Sequence, residues 1–373
     1  MKNTSKVLGI AVIIAAIALS ALSMTGCTEP EPDPVVESIT VTPPTTTTYI
    51  VGDTLDTTGM VVTANYDDGS TMTVTDYTTD FDSTTGGTKT VTVTYGGFSD
   101  TFTVIIIAPY IITYNNTLSP YTVTKDGTSL GNNTTLQNAI DAIRTNAAGA
   151  NCVIKFDDGT NANGLVVGDD YLSFRNISSG TWGAVTLTGK ITANRASSYD
   201  GTIYINSGIS VTSKAWIENA NTDISARAVY NNGTLNIIGG TIIGSYGIYN
   251  YSGTVNISGG TISISEANYT YGSAVYNSSS GTINITGGTI TSTITSTTTN
   301  TSVYNSSSGT INISGGTITA ESGYAVRNTG TGGIINITGG TITASTGYAV
   351  YTLTNSTTNI TGGTITGRRY PSS

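Results

Sequence analysis

Enzyme chemistry needs clustered ionisable side chains, and this sequence supplies few. Its 373 residues include no His, two Cys (Cys27 and Cys152), 14 Lys+Arg and 23 Asp+Glu. From 229 onward the only charged residues are Glu266, Glu321, Arg327, Arg368 and Arg369. A site that hydrolyses polysaccharides wants two or three neighbouring carboxylates, one as acid and one as base. A lyase wants carboxylates around a cation and a Lys or Arg base. Glu266 and Glu321 are the one candidate pair in that stretch. They fall two repeats apart, about 10 Å along a stack of strands. No charge near them would position a substrate, so they read as solvated loop carboxylates. Lys155, Asp157, Asp158, Asp169, Asp170 and Arg175 form a second cluster, able to hold a cation or a sugar but more simply explained as turns. Cys152, within CVIKF, reads as a small buried hydrophobe, because a cysteine hydrolase also needs a His. No cofactor or metal is expected. With 10% charged residues and a net charge of −9, the chain lacks the basic footprint of nucleic-acid binding.

Two arrays of uncharged residues are better candidates. Tyr230, Tyr249, Tyr276, Tyr304 and Tyr351 share one position in a repeat, with Arg327 substituted once. Tolerance of Arg places that position on the outside. Stacked outward Tyr can bind the faces of sugars, or simply stabilise a sheet as cross-strand pairs. The second array is a T-x-T file: Thr289/Thr291, Thr317/Thr319, Thr341/Thr343 and Thr364/Thr366, broken at Thr241-Ile242-Ile243. It resembles the flat Thr arrays of ice-binding β-helices, which makes ice binding a remote alternative.

The element that positions both arrays is the repeat G-T-[ILV]-N-I-x-G-G-T-I, marked by Asn236, Asn256, Asn284, Asn312, Asn336 and Asn359. Between the copies run AVYN, GIYN, AVYN, SVYN and AVRN, ending at Asn231, Asn250, Asn277, Asn305 and Asn328. Three short strands per 20–28 residues signal a solenoid. In TINIT, Ile283 and Ile285 point to one face and Asn284 to the other. One coil cannot bury its Ile pair, but stacked coils can. The Asn after Val-Tyr is expected to form a hydrogen-bonded ladder, and glycines to make the turns. CVIKF, AVTLTGKITA (184–193) and TIYINSGISV (202–211) read as earlier, weaker coils. TLQNAIDAIRTNAAG (135–149) predicts a helix with Leu136, Ala139, Ile140, Ile143 and Ala147 on one face, capped by Asn133 or Thr134 and ended by Gly149. Its expected place is over the open first edge of the sheet. The region from 151 resembles the pectin-lyase-like right-handed parallel β-helix. Enzymes of that fold cleave acidic polysaccharides, but the carboxylates such chemistry uses are not matched here.

Upstream, strands ESITVT, MVVTANY, TMTVT, TKTVTVTY and FTVII are punctuated by Asp68-Gly69 and Gly96-Gly97. GDTLDTTG (52–59), VVTANYDDG (61–69) and TVTVTYGG (90–97) resemble a bacterial immunoglobulin-like domain of the group 3 type, which implies a small β-sandwich used as a surface spacer or adhesive module. Asp67 and Asp68 read as a solvated turn rather than a cation site. Before it, Lys2, Lys6 and the apolar run VLGIAVIIAAIALSALSM lead to Thr25-Gly26-Cys27. MTGC resembles a bacterial lipobox, implying cleavage before Cys27 and lipidation of its thiol. Thr28 is not the Asp associated with inner-membrane retention.

The expected order is a signal peptide (1–26), a lipidated Cys27 with an acidic Pro-rich linker (27–36), an Ig-like domain (37–108), a connector with capping helix (109–150) and a parallel β-helix (151–373). The fold class is all-β. The expected function is that of a cell-surface lipoprotein, non-catalytic, with a structural, adhesive or glycan-binding role; a polysaccharide-degrading enzyme is the alternative. Expected partners are the membrane, through the lipid, and a polysaccharide or a host or envelope surface protein.

Overall fold

The computed structural model describes residues 33–370 except 116–117, 119, 157–163, 178–179, 197–199, 222, 224, 265–271 and 296–298. The expected signal peptide (1–26) and the expected lipidation site Cys27 therefore lie outside the described residues. Among the described residues the fold is mostly β with one short helix, an Ig-like domain preceding a parallel β-solenoid. Two compact units are distinguished among the described residues: 33–46 with 56–81 and 90–103, and 47–55, 82–89 and 104–370.

In the Ig-like region Val36–Thr42, Val61–Tyr66 and Thr71–Val74 form a three-stranded antiparallel sheet. A second sheet has the order Thr48–Ile50, Phe98–Ile107, Gly87–Tyr95, Thr78–Thr79. Alternation buries Ile39, Val62, Ala64, Val91 and Val93 while the Thr positions between them face water. Two strands escaped the sequence reading: Thr48–Ile50 and Thr78–Thr79 are too short to show alternation. Asp68 accepts the Ser70 N–H at 2.8 Å and Asp67 the Val35 N–H at 2.9 Å, so both are turn carboxylates.

The solenoid stacks three faces. One coil shows the plan: Thr282–Ile285 on the first face, Thr289–Ser292 on the second and Thr301–Asn305 on the third. Each pairs in parallel, residue for residue, with the coil before and the coil after. The first column runs from Cys152–Phe156 to Thr357–Ile360. Inside, Ile283, Ile285, Ile290 and Val303 are at most 1% exposed, and their counterparts in neighbouring coils are equally buried. Each such Ile contributes about 2 kcal/mol of apolar burial before chain entropy is charged against it. A register slip of one residue would turn every Ile outward, which is why the repeat must be strict.

The Gly-Gly turn has a double cause. Gly288 adopts φ +79, in the left-handed region. A Cβ on Gly287 would strike the carbonyl of Ser258 in the coil before. The first glycine is thus required by close approach and the second by conformation.

At the first end the helix spans Leu136–Ala147 and buries Leu136, Ala139, Ile140 and Ile143 in the solenoid core. Its cap is Thr135, whose hydroxyl accepts the Asn138 N–H at 3.1 Å, not Asn133 or Thr134. It ends at Ala148 (φ 51), one residue before Gly149. The expected connector is itself structured. Tyr110–Tyr114, Tyr121–Lys125 and Thr128–Asn133 form antiparallel hairpins, and Tyr110–Tyr114 pairs in parallel with Cys152–Phe156. Asp126 and Gly127, both at positive φ, make the second hairpin turn, a D-G signal legible in the sequence.

Candidate functional site

The third face places the Tyr file. Tyr230, Tyr249, Tyr276, Tyr304, Arg327 and Tyr351 occupy one register position on successive coils. The backbone beneath is held by the next residue. Asn231, Asn250, Asn277, Asn305 and Asn328 are all 0% exposed. The first four donate from Nδ2 to the Oδ1 of the next, at 2.8, 2.9, 3.1 and 3.3 Å. Each of the five also donates to a glycine carbonyl across the corner, as Asn277 does to Gly281 at 2.9 Å. The ladder stops at Thr352, which takes the Asn position in the last of these coils. A second Asn ladder runs along the first face from Asn236, half-buried as far as Asn336 and exposed at Asn359, with bonds of 2.8–2.9 Å.

On this scaffold the rings turn on one another. Tyr230 and Tyr249 stack at 5.3 Å and 20°, and Tyr249 and Tyr276 at 5.0 Å and 26°. Tyr276 meets Tyr304 edge-on at 5.2 Å. Arg327 sets its guanidinium 4.7 Å from both Tyr304 and Tyr324. All are half-buried. The strip therefore offers ring edges and hydroxyls to solvent, because the flat faces are spent on neighbouring rings.

The structure adds members that the sequence reading missed. Tyr204 pairs with Tyr230 and stacks on it at 4.9 Å and 6°. A second file lies three residues earlier: Arg227, Tyr246, Ser273, Thr301, Tyr324 and Tyr348. Arg227 is 7% exposed and stacks on Tyr249 at 3.6 Å. The signal was there: R-A-V-Y, Y-G-I-Y, Y-A-V-R and Y-A-V-Y each carry a large residue three before the file position. Alternation by two hid it, because the first residue of the five-residue strand sits at the corner.

Burial, with neighbouring Tyr rings adding to it, pushes the Tyr230 and Tyr246 hydroxyls up to about 12 and raises Tyr276 as well. Burial also lowers Arg227. The hydroxyls stay protonated across the neutral range and serve as hydrogen-bonding groups there, not as bases.

Among the charged candidates the Asp170 carboxylate is held within the fold, whereas at Asp169 and Arg175 the hydrogen bonds fall on backbone carbonyls. Asp170 accepts the Leu136 N–H at 3.1 Å at the helix start. The Asp169 carbonyl accepts a bond from Arg195, which is also paired bidentately with Asp200 at 2.8 and 2.9 Å. The Arg175 carbonyl accepts from the buried Arg144, itself ion-paired with Asp141 at 2.9 Å. Lys155 lies on Cys152–Phe156, half-buried. Asp157, Asp158 and Glu266 lie outside the described residues, and Glu321 is exposed at a corner. Cys152 is 3% exposed, and burial pushes its thiol up to about 12. The T-x-T file aligns on the second face, with Thr319 donating to Thr291 at 3.0 Å.

Residues 42–105 match the family model described as bacterial Ig-like domain (group 3). A stretch of the chain is also similar to an exo-beta-1,6-galactobiohydrolase of Bifidobacterium longum subsp. longum, 37% identical over 110 residues. That stretch is 27% of this chain and 7% of the relative, so the chain spans only a small part of that protein.

Proposed function

We propose that this protein is a lipid-anchored bacterial surface protein with a non-catalytic structural, adhesive or glycan-binding role. The Ig-like domain serves as the spacer and the solenoid as the presenting surface. The observation that carries this reading is the third face: a ladder of Asn and Tyr continued from coil to coil, with Arg227 and Arg327 stacked against its rings. Such a surface suits repeated weak contacts with an extended partner, either a polysaccharide or a protein of the host or of the envelope. The Asp170 carboxylate near the first coils supports it too, since it is spent on the Leu136 N–H at the helix start. Anchoring through Cys27 and a location at the outer membrane or cell surface rest on the MTGC motif.

A glycan and host-matrix array probed with the processed chain tests the reading. Binding that falls on Tyr276→Ala and Tyr304→Ala supports it; a blank array leaves only the structural role. Incorporation of labelled fatty acid, lost in Cys27→Ala, tests the anchor. The polysaccharide-degrading alternative is favoured by the named activity of the Bifidobacterium relative. Release of reducing sugar from acidic or neutral polysaccharides, with and without Ca²⁺, would establish it in place of the non-catalytic role.

A further inference from the structure

We propose that Trp216 and the side chains fixed around it form a subsite for a neutral pyranose unit of a polysaccharide chain. The site lies on the second face, apart from the Tyr file. It rests on the glycan-binding reading above and names where and what the protein binds.

Outward positions on the second face are filled mostly by short side chains. Thr241, Thr261, Thr289 and Thr317 follow one another in register. Trp216 precedes Thr241 in that same file and Lys190 precedes Trp216. Trp216 is 37% exposed although it stands within a paired strand.

The indole is held from two sides. Lys190 Nζ lies over the ring, 4.6 Å from its centroid. Trp216 Nε1 donates to Glu218 Oε2 at 3.0 Å. Adjacent strands are about 4.8 Å apart, so one ring face is turned to the coil of Lys190. The opposite face is turned to the coil of Thr241, whose side chain is far shorter than an indole. The result is a step: a preorganised aromatic wall above a low floor that continues through Thr261.

The groups beside the wall are those a sugar ring needs. A pyranose presents a C–H face, which an aromatic face accepts, and hydroxyls around its edge, which need fixed polar partners. Glu218 is half-buried and spends Oε2 on the indole. Its other oxygen remains available to accept a hydroxyl. The Thr241 hydroxyl, in register with Trp216 on the next coil, supplies a further partner. Around the indole the Lys190 ammonium and the Glu218 carboxylate offset one another, which leaves the wall without net charge and suits a neutral ring. Restraint of Trp216 before binding lowers the entropy cost of using it as an anchor.

The test is a titration of the processed chain with cellohexaose, xylohexaose, arabinan and galactan oligosaccharides, and with trigalacturonate for comparison. Intrinsic fluorescence and calorimetry are the readouts. Trp216→Thr installs the residue that the next coils carry at this position and leaves the core untouched. The expected result is saturable binding of a neutral oligosaccharide with a change in Trp emission, weakened at least tenfold by Trp216→Thr, about 1.4 kcal/mol. Glu321→Gln, at an exposed corner several coils away, should leave that affinity unchanged. Binding that survives Trp216→Thr but falls in Tyr304→Ala would overturn this subsite while leaving the glycan-binding role intact. Preference for trigalacturonate, or no neutral ligand bound, would also overturn it. An array blank for every glycan would remove both.

Discussion

Replacing Asn277 by Ala should cost the solenoid far more than the same change at Asn284, although both belong to Asn ladders on consecutive strands. Asn277 is 0% exposed and makes three ladder bonds: to Gly281 O at 2.9 Å, to Asn305 Oδ1 at 3.1 Å and from Asn250 Nδ2 at 2.9 Å. Each is worth about 1 kcal/mol net, and interior groups that lose their donor add desolvation cost, so the loss should be about 3–4 kcal/mol. Asn250 keeps its bond to Gly253 at 2.9 Å, which limits the damage upstream. Asn284 is half-buried and makes two ladder bonds, to Asn256 at 2.8 Å and from Asn312 at 2.9 Å. Water can replace both, so its loss should stay below about 1 kcal/mol. Equilibrium unfolding in urea, followed by far-ultraviolet circular dichroism, reads the difference as a shift in midpoint at similar slope. Coils interact with their nearest neighbours, so a break in the middle of the stack propagates both ways. Equal shifts for the two variants would refute the argument that burial, and not ladder membership, sets the value of these amides.

Gly287→Ala drives a Cβ into the Ser258 carbonyl; it should destabilise by about 1–3 kcal/mol, the overpacking range, and a thermal melt equal to the parent would show that the coils can part there. Arg327→Tyr should keep stability, because the preceding coils carry Tyr at that position, whereas Arg327→Ala removes the cation stacked 4.7 Å from Tyr304 and Tyr324 and should cost about 1 kcal/mol; a larger loss for Tyr than for Ala would contradict this. The alkaline limb of stability should be steep. Tyr230 and Tyr246 are raised from 10.0 to about 12 and Cys152 from 9.0 to about 12, in each case with burial as the largest cause. The fold thus favours their neutral forms: the stabilisation is complete below the unfolded values and is lost as pH rises through about 12. Tyrosinate formation at Tyr230 and Tyr246 should lag behind that of the unfolded chain, and Cys152 should resist thiol reagents until denaturant is added; early titration of those two Tyr would argue against their burial.

Much of the architecture was legible because a solenoid writes its geometry into its period. The Ile pair of TINIT, the Gly-Gly turns and the recurring Asn announced which residues stack on which, and the parallel register from coil to coil follows them. The helix showed through its apolar face, and the Ig-like strands through alternation. Strands of two or three residues, and the hairpins before the helix, carry too few positions for a period to be seen.

The sequence by itself determined what each coil must contain, because identical neighbours can satisfy one another only when every coil presents the same residue at the same height. It also determined the scarcity of charge, which follows from composition alone. Tertiary structure decided what faces what. Only stacking turns the Tyr rings on one another so that edges rather than faces meet water, and only the corner brings Arg227 and Tyr246 beside a file three residues away. Only the meeting of three coils sets Lys190 above Trp216 and a short Thr241 below it. Those relations join residues some 25 positions apart in the chain, a distance at which local pattern carries no information about contact.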